Sequence, residues 1–167
     1  MSIKSGDIVL VDTNLIIQGH MKRCWSAISG AYRLQTVDQC IVEAMTGDHS
    51  WNNSRPIEEK LRQGFDAIHS ISDQQLAEVL VRGGSLLDAG EQHLWAYALS
   101  CPTAWVLCGP DRASMRFGYE QSYRERLVSL EELLNGISTS SPIPIDAHHT
   151  KKWLNDFIND IILGIIR

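Results

Sequence analysis

The chain has 167 residues, 44% of them hydrophobic and 21% charged, and its 15 Lys and Arg against 20 Asp and Glu leave a formal net charge of −5. A chain of this length buries about 70% of its unfolded surface, so one domain folds without a disulfide or metal staple. The acidic balance argues against a protein that grips nucleic acid through bulk positive charge, but not against an acidic site that meets it through metal ions.

The first strong element is residues 8–11, a β-branched run between Asp7 and Asp12. A short apolar run without polar alternation predicts a strand covered on both faces, as in a parallel sheet. A helix is expected from Thr13, a second strand at 34–37, and a helix capped by Asp38 that carries Ile41, Val42, Ala44 and Met45. Residues 47–56 are polar and read as a loop. Helical spacing runs through 58–71 and again through 73–81, with Gly83-Gly84 ending the second. Residues 88–99 form another helix, 104–108 a buried strand, 111–117 a short helix and 126–130 a last strand-like segment. A Ser/Pro-rich connector covers 138–144, and an amphipathic helix covers 150–166. Strands alternating with helices predict an α/β layered fold. The expected organisation is one domain over 1–137, a connector over 138–149, and a terminal helix over 150–167 that belongs to the same domain or makes a homodimer contact.

The four cysteines, Cys24, Cys40, Cys101 and Cys108, contain no CxxC, which removes zinc-ribbon and dithiol redox readings. The first residues meet an acid at position 7 and do not read as a signal peptide. The longest apolar run, 161–166, is far too short to span a bilayer. A cytoplasmic protein with reduced cysteines and no membrane partner is expected.

Two acids stand where chemistry favours them. Asp12 ends the first strand, and Asp111 lies just past the strand at 104–108. Ligands of open parallel sheets bind outside the carboxyl ends of the strands, where the strand order reverses. If these strands are neighbours, the two carboxylates converge there, and their repulsion is relieved by a cation. Mg²⁺ or Mn²⁺, hard ions that prefer oxygen, suit such a cluster. Asp is equally a good helix N-cap. Glu43 sits mid-helix among apolar neighbours, and Glu91 follows Asp88 at capping-box spacing. Capping and metal binding both remain open on these residues alone.

The segments VLVDTNLII, VEA at Glu43, LLDAGEQHLWAYAL and WVLCGPDRASMRFGY, in this order, resemble the PIN-domain ribonucleases, most closely the small prokaryotic members. The resemblance covers about residues 7–135 and includes RLVSLEELL as the family's closing strand and helix. It implies a three-layer α/β/α sandwich around a short parallel sheet. It implies that Asp12, Glu43, Glu91 and Asp111 form a metal-binding acidic cluster, with Thr13 and Asn14 orienting the first acid. It further implies Mg²⁺- or Mn²⁺-dependent hydrolysis of RNA phosphodiesters to 5′-phosphate and 3′-hydroxyl ends, and a toxin that a protein antitoxin silences. The chain departs from the family at Pro110, where relatives often carry a second acid, which bears on a second metal. Asp88 competes with Glu91 for the third position, and the tail after 138 and the segment 47–56 match nothing in the family pattern.

Lys22, Arg23 and Arg33 fall in an acid-free stretch, residues 13–37, and Arg112 and Arg116 follow the fourth acid at helical spacing. These five are the candidates for phosphate contacts. His148-His149 lacks partners at metal-ligand spacing, and His93 reads as a surface residue. Trp95 and Trp105 read as core, whereas Trp25 and Trp51, in polar surroundings, are candidates to stack on bases or a partner. Two rival readings stand beside the nuclease. A haloacid-dehalogenase-like phosphatase also opens on an apolar strand and Asp-Thr, but needs an acid where Asn14 stands. A PIN fold without catalysis would serve as a binding or assembly module.

Overall fold

The computed structural model describes residues 3–46, 58–137 and 142–166. Five parallel strands form one sheet: β1 (Ile8–Val11), β2 (Arg33–Val37), β3 (Ala67–His69), β4 (Val106–Cys108) and β5 (Leu127–Val128), in the spatial order β3-β2-β1-β4-β5. β1 lies at the centre, with Val9 opposite Leu34 on one side and Val106 on the other. Its residues Val9, Leu10 and Val11 are wholly buried, which is why the run carries no polar alternation. The chain steps outward from β1 to β2 and β3, then returns across the sheet to β4 and β5. The strand order therefore reverses between β1 and β4.

Nine α-helices accompany the strands among the described residues, seven between strands and two after β5: α1 (Thr13–Met21), α2 (Trp25–Ala31), α3 (Asp38–Thr46), α4 (Glu58–Arg62), α5 (Asp73–Val81), α6 (Ala89–Ser100), α7 (Arg112–Glu120), α8 (Leu130–Asn135) and α9 (Lys151–Ile162). α1, α3, α6 and α5 pack in succession, and α7 and α8 both pack against α9. The chain is thus an α/β protein with a parallel sheet. Trp95 is the largest wholly buried side chain. Its indole N–H donates to Ser114 Oγ at 2.9 Å, and its ring meets Trp105 edge-on with centroids 5.9 Å apart. Both tryptophans are core, as their surroundings in the sequence predict.

Several boundaries move. The helix expected over 58–71 stops at Arg62. Gly64 takes a positive φ of +90°, which glycine reaches without the Cβ penalty, and the chain turns into the edge strand β3. α2 is unexpected, since WSAISGA has neither a helical apolar stripe nor a side-chain N-cap. The closing strand shrinks to Leu127–Val128 because Ser129 opens a capping box with Glu132 and starts α8. The terminal helix begins after its N-cap Thr150 and ends at Ile162. It buries Leu154, Phe157 and Ile158 against the body of the domain, while Leu163 and Ile165 stay exposed. Trp25 is also buried, at 6% exposure, with its N–H donating to the Gln63 carbonyl at 2.9 Å, so its polar sequence neighbours mislead. The loop at 47–56 with Trp51, and 138–141 of the connector, lie outside the described residues. No helix among the described residues is long and apolar enough to cross a membrane.

Candidate active site

The reversal point between β1 and β4 is where Asp12 and Asp111 stand. Asp12 directly follows β1 and caps α1, its Oδ1 accepting from the Leu15 N–H at 2.8 Å. Asp111 follows β4 by three residues and caps α7, its Oδ1 accepting from the Ala113 N–H at 2.7 Å. Asp88 and Glu91 cap α6 reciprocally: Glu91 N–H donates to Asp88 Oδ1 at 2.8 Å, and Asp88 N–H donates to Glu91 Oε2 at 3.1 Å. Capping and site-building are compatible here because a carboxylate has two oxygens. Each of these acids spends one oxygen on a backbone N–H, and Glu91 Oε1 is buried with no hydrogen-bond partner.

Electrostatics bring the five acids into one field. Burial, with Asp111, Asp88 and Glu43 nearby, pushes Asp12 from 3.8 up to about 7 despite the Leu15 N–H. Burial pushes Glu91 from 4.5 up to about 9, reinforced by the nearby Asp111 and Asp88 carboxylates. Asp88 is raised by burial and by Glu43 and Asp111. The capping box holds Asp88 and Glu91 against each other at the start of α6, so both lie beside Asp111.

Glu43 has a different task. Its Oε2 accepts from Thr13 Oγ1 at 2.9 Å and its Oε1 from the Gly90 N–H at 2.7 Å, which clasps α1, α3 and α6 together. From the same helix, the buried Cys40 thiol donates to the Gly90 carbonyl at 3.6 Å. Burial pushes that thiol up to about 12, so it stays protonated. Thr13, expected to orient Asp12, therefore holds Glu43 instead. The Asn14 side chain is exposed and makes no hydrogen bond among the described residues. Gly109, between β4 and Asp111, is a site feature that sequence reasoning missed: a Cβ there would lie 2.6 Å from Asp12 Oδ2. The only signal for it is a glycine directly after a buried strand.

The basic candidates divide. Arg112 and Arg116 lie on α7 beside Asp111, where Arg112 sits 5.7 Å over the Phe157 ring. Lys22 is at the far end of α1, paired to Asp146 at 3.0 Å. Arg33 opens β2 at its amino end, away from the carboxyl ends of the strands, and pairs with Asp66 at 2.9 Å. Arg23 also lies at the far end of α1. The His148 and His149 rings meet at a tilt of 41° with centroids 4.3 Å apart, and His149 is buried. Among the described residues no group of three or more His, Cys, Asp or Glu is arranged to hold a metal ion as the side chains stand. The carboxyl groups still suit one in their chemistry. They offer oxygen donors only, two of them are driven towards protonation by burial and mutual repulsion, and one buried oxygen lacks a partner. A hard divalent cation answers all three conditions.

No protein-family model, curated protein or solved structure matches this chain.

Proposed function

We propose that this chain is a divalent-metal-dependent ribonuclease with a PIN-like three-layer α/β/α fold. The observation that carries the reading is the meeting of Asp12 and Asp111 at the β1/β4 reversal, with Glu91 and Asp88 in the same field. Asp12, Glu91 and Asp111 are the residues to hold Mg²⁺ or Mn²⁺, with Asp88 at their side and Glu43 bracing Gly90 and Thr13. When bound, such an ion neutralises phosphate charge and acidifies a water for attack on the phosphodiester.

The protein's own part is positioning. The Leu15 and Ala113 amides fix one oxygen of Asp12 and of Asp111, which leaves the second oxygen of each for the ligand. The Glu43 clasp sets where α6 begins and so where Asp88 and Glu91 stand. Arg112 and Arg116 offer cations to flanking phosphates from the helix that Asp111 caps. No protein nucleophile is required, because water attacks in line with the leaving oxygen. The further reading of a toxin with a protein antitoxin rests on the sequence resemblance and adds no residue to the site.

The test is cleavage of a mixed, structured RNA panel by the purified chain with Mg²⁺, Mn²⁺ or EDTA, beside Asp12→Asn and Glu91→Gln purified in parallel. Metal-dependent cleavage lost in both variants is expected. Cleavage that persists in EDTA or in both variants overturns the reading. Absence of cleavage together with no Mn²⁺ effect on the melting temperature favours the non-catalytic binding module.

A further inference from the structure

A second cleft lies at the other end of α1, nine helical residues and therefore roughly 14 Å from the carboxylates. Its volume is about 340 Å³, within the range of about 300–1,000 Å³ usual for small-molecule sites. The floor is the edge of Trp25, locked by its hydrogen bond to Gln63, by His20 stacked on it at 4.9 Å and by Phe65 edge-on at 5.0 Å. Arg23, Ser26, Ser29 and Lys60 line it. No carboxylate lines the cleft, in a chain whose acids outnumber its bases. Neither Arg23 nor Lys60 forms an ion pair among the described residues, although Lys22, Arg33 and Arg62 nearby all do. His20 Nε2 is buried without a hydrogen-bond partner.

The backbone under Arg23 is a separate observation. α1 ends in a Schellman turn, with the Cys24 N–H donating to the Gly19 carbonyl at 2.9 Å and the Arg23 N–H to the His20 carbonyl at 3.1 Å. The left-handed residue of that turn is usually glycine, and α5 and α9 place Gly83 and Gly164 there. α1 places Arg23 instead, at φ 57°, as α7 places Ser122, at φ 66°. Arg23 thus holds a conformation that costs a non-glycine residue about 1 kcal/mol.

We infer that this cleft binds a small phosphate-bearing anion, with Arg23 and Lys60 contacting the phosphate and the Ser26 and Ser29 hydroxyls completing its hydrogen bonds. Guanidinium and ammonium donors make charge-assisted bonds to phosphate oxygens, and the Ser29 hydroxyl would turn from the Ser26 carbonyl, 3.4 Å away, to join them. The edge of Trp25 is left for the organic part of the ligand. The site shares no residue with the carboxylate cluster and does not depend on the nuclease reading.

The test is an NMR titration of the full, uniformly ¹⁵N-labelled chain in EDTA, first with inorganic phosphate and then with adenosine 5′-monophosphate. The Trp25 indole N–H and the Arg23 and Ser26 amides are the reporters. Both probes are expected to shift them saturably, with affinity weakened on the order of tenfold or more in Arg23→Gly and in Lys60→Gln, as loss of a charged hydrogen bond implies. Glycine suits the backbone at position 23, so that variant folds and its loss of binding reports on the side chain. No shift at about 20 mM phosphate beyond a chloride control of equal ionic strength, well above a millimolar Kd, overturns the inference. An unchanged midpoint in either variant overturns it as well.

Discussion

Glu43 and Gly90 are fitted to each other without slack. The Gly90 N–H donates to Glu43 Oε1 at 2.7 Å, and a Cβ on residue 90 would run into Glu43 Oε2. Gly90→Ala therefore has to displace a carboxylate that also holds Thr13, and with it the start of α6. The substitution is expected to cost about 1–3 kcal/mol, read by urea denaturation. A midpoint equal to wild type would mean that Glu43 swings aside freely and is no clasp.

Asp12 gives the stability a pH dependence of known sign. In the folded chain its carboxyl titrates at about 7 against 3.8 ordinarily, so the fold holds the proton more tightly than the unfolded chain does. Without metal, stability contributed by the protonated form is complete below 3.8 and is lost as pH rises towards about 7, at roughly 1.4 kcal/mol per pH unit. Asp12→Asn keeps an acceptor for the Leu15 amide and carries no charge. In EDTA it is expected to exceed wild type in stability by a margin that grows from pH 5 to 7, reaching up to about 4 kcal/mol, and then levels off. Thermal unfolding in EDTA at several pH values measures this. Equal curves would show that Asp12 is not held in a strained ionic state.

His149 acts in the opposite sense. Burial, with His148 and Lys22 beside it, lowers it from 6.5 to about 4, so the fold holds the neutral ring and the unfolded chain takes the proton first. Its contribution is complete above 6.5 and is lost as pH falls towards about 4. His149→Leu is expected to lose about 2–3 kcal/mol less than wild type between pH 7 and pH 4, measured by denaturant titration at each pH. Parallel losses in the two proteins would remove His149 as the cause.

Arg23→Gly is expected to stabilise the chain by about 0.5–1 kcal/mol, since it relieves the left-handed strain at the end of α1. Urea denaturation at neutral pH measures it. Any clear destabilisation would mean that the Arg23 side chain supports the fold.

The parts of this fold that were legible in the sequence are those where one physical demand acts alone. β1 is recognisable because burial on both faces removes every polar residue between Asp7 and Asp12, α5 because its helical spacing stops at Gly83, and α6 because Asp88 and Glu91 stand at capping-box spacing. β3 was hidden because a half-buried edge strand of three residues has no period to display, and its approach through Leu61 and Phe65 imitates a helical stripe. At the site, the positions of Asp12 and Asp111 follow from where strands end. The partition of tasks does not, because only the three-dimensional approach of α3 to α6 shows that Glu43 and Thr13 bond to each other rather than to Asp12. Lys22 and Arg33 illustrate the same limit, since an acid-free stretch of sequence meets its acids, Asp146 and Asp66, from distant segments.

The central place of β1 has a consequence for synthesis. It is made before the other four strands of the sheet, yet one of its two edges pairs with β2 and the other with β4, whose residues begin only at Val106. Translation at about 5–20 residues per second leaves that second edge, apolar on both faces, without its neighbour for roughly 5–20 s. During that interval the growing chain carries an open template for strand addition, so its yield of folded protein depends on β4 arriving before another chain does.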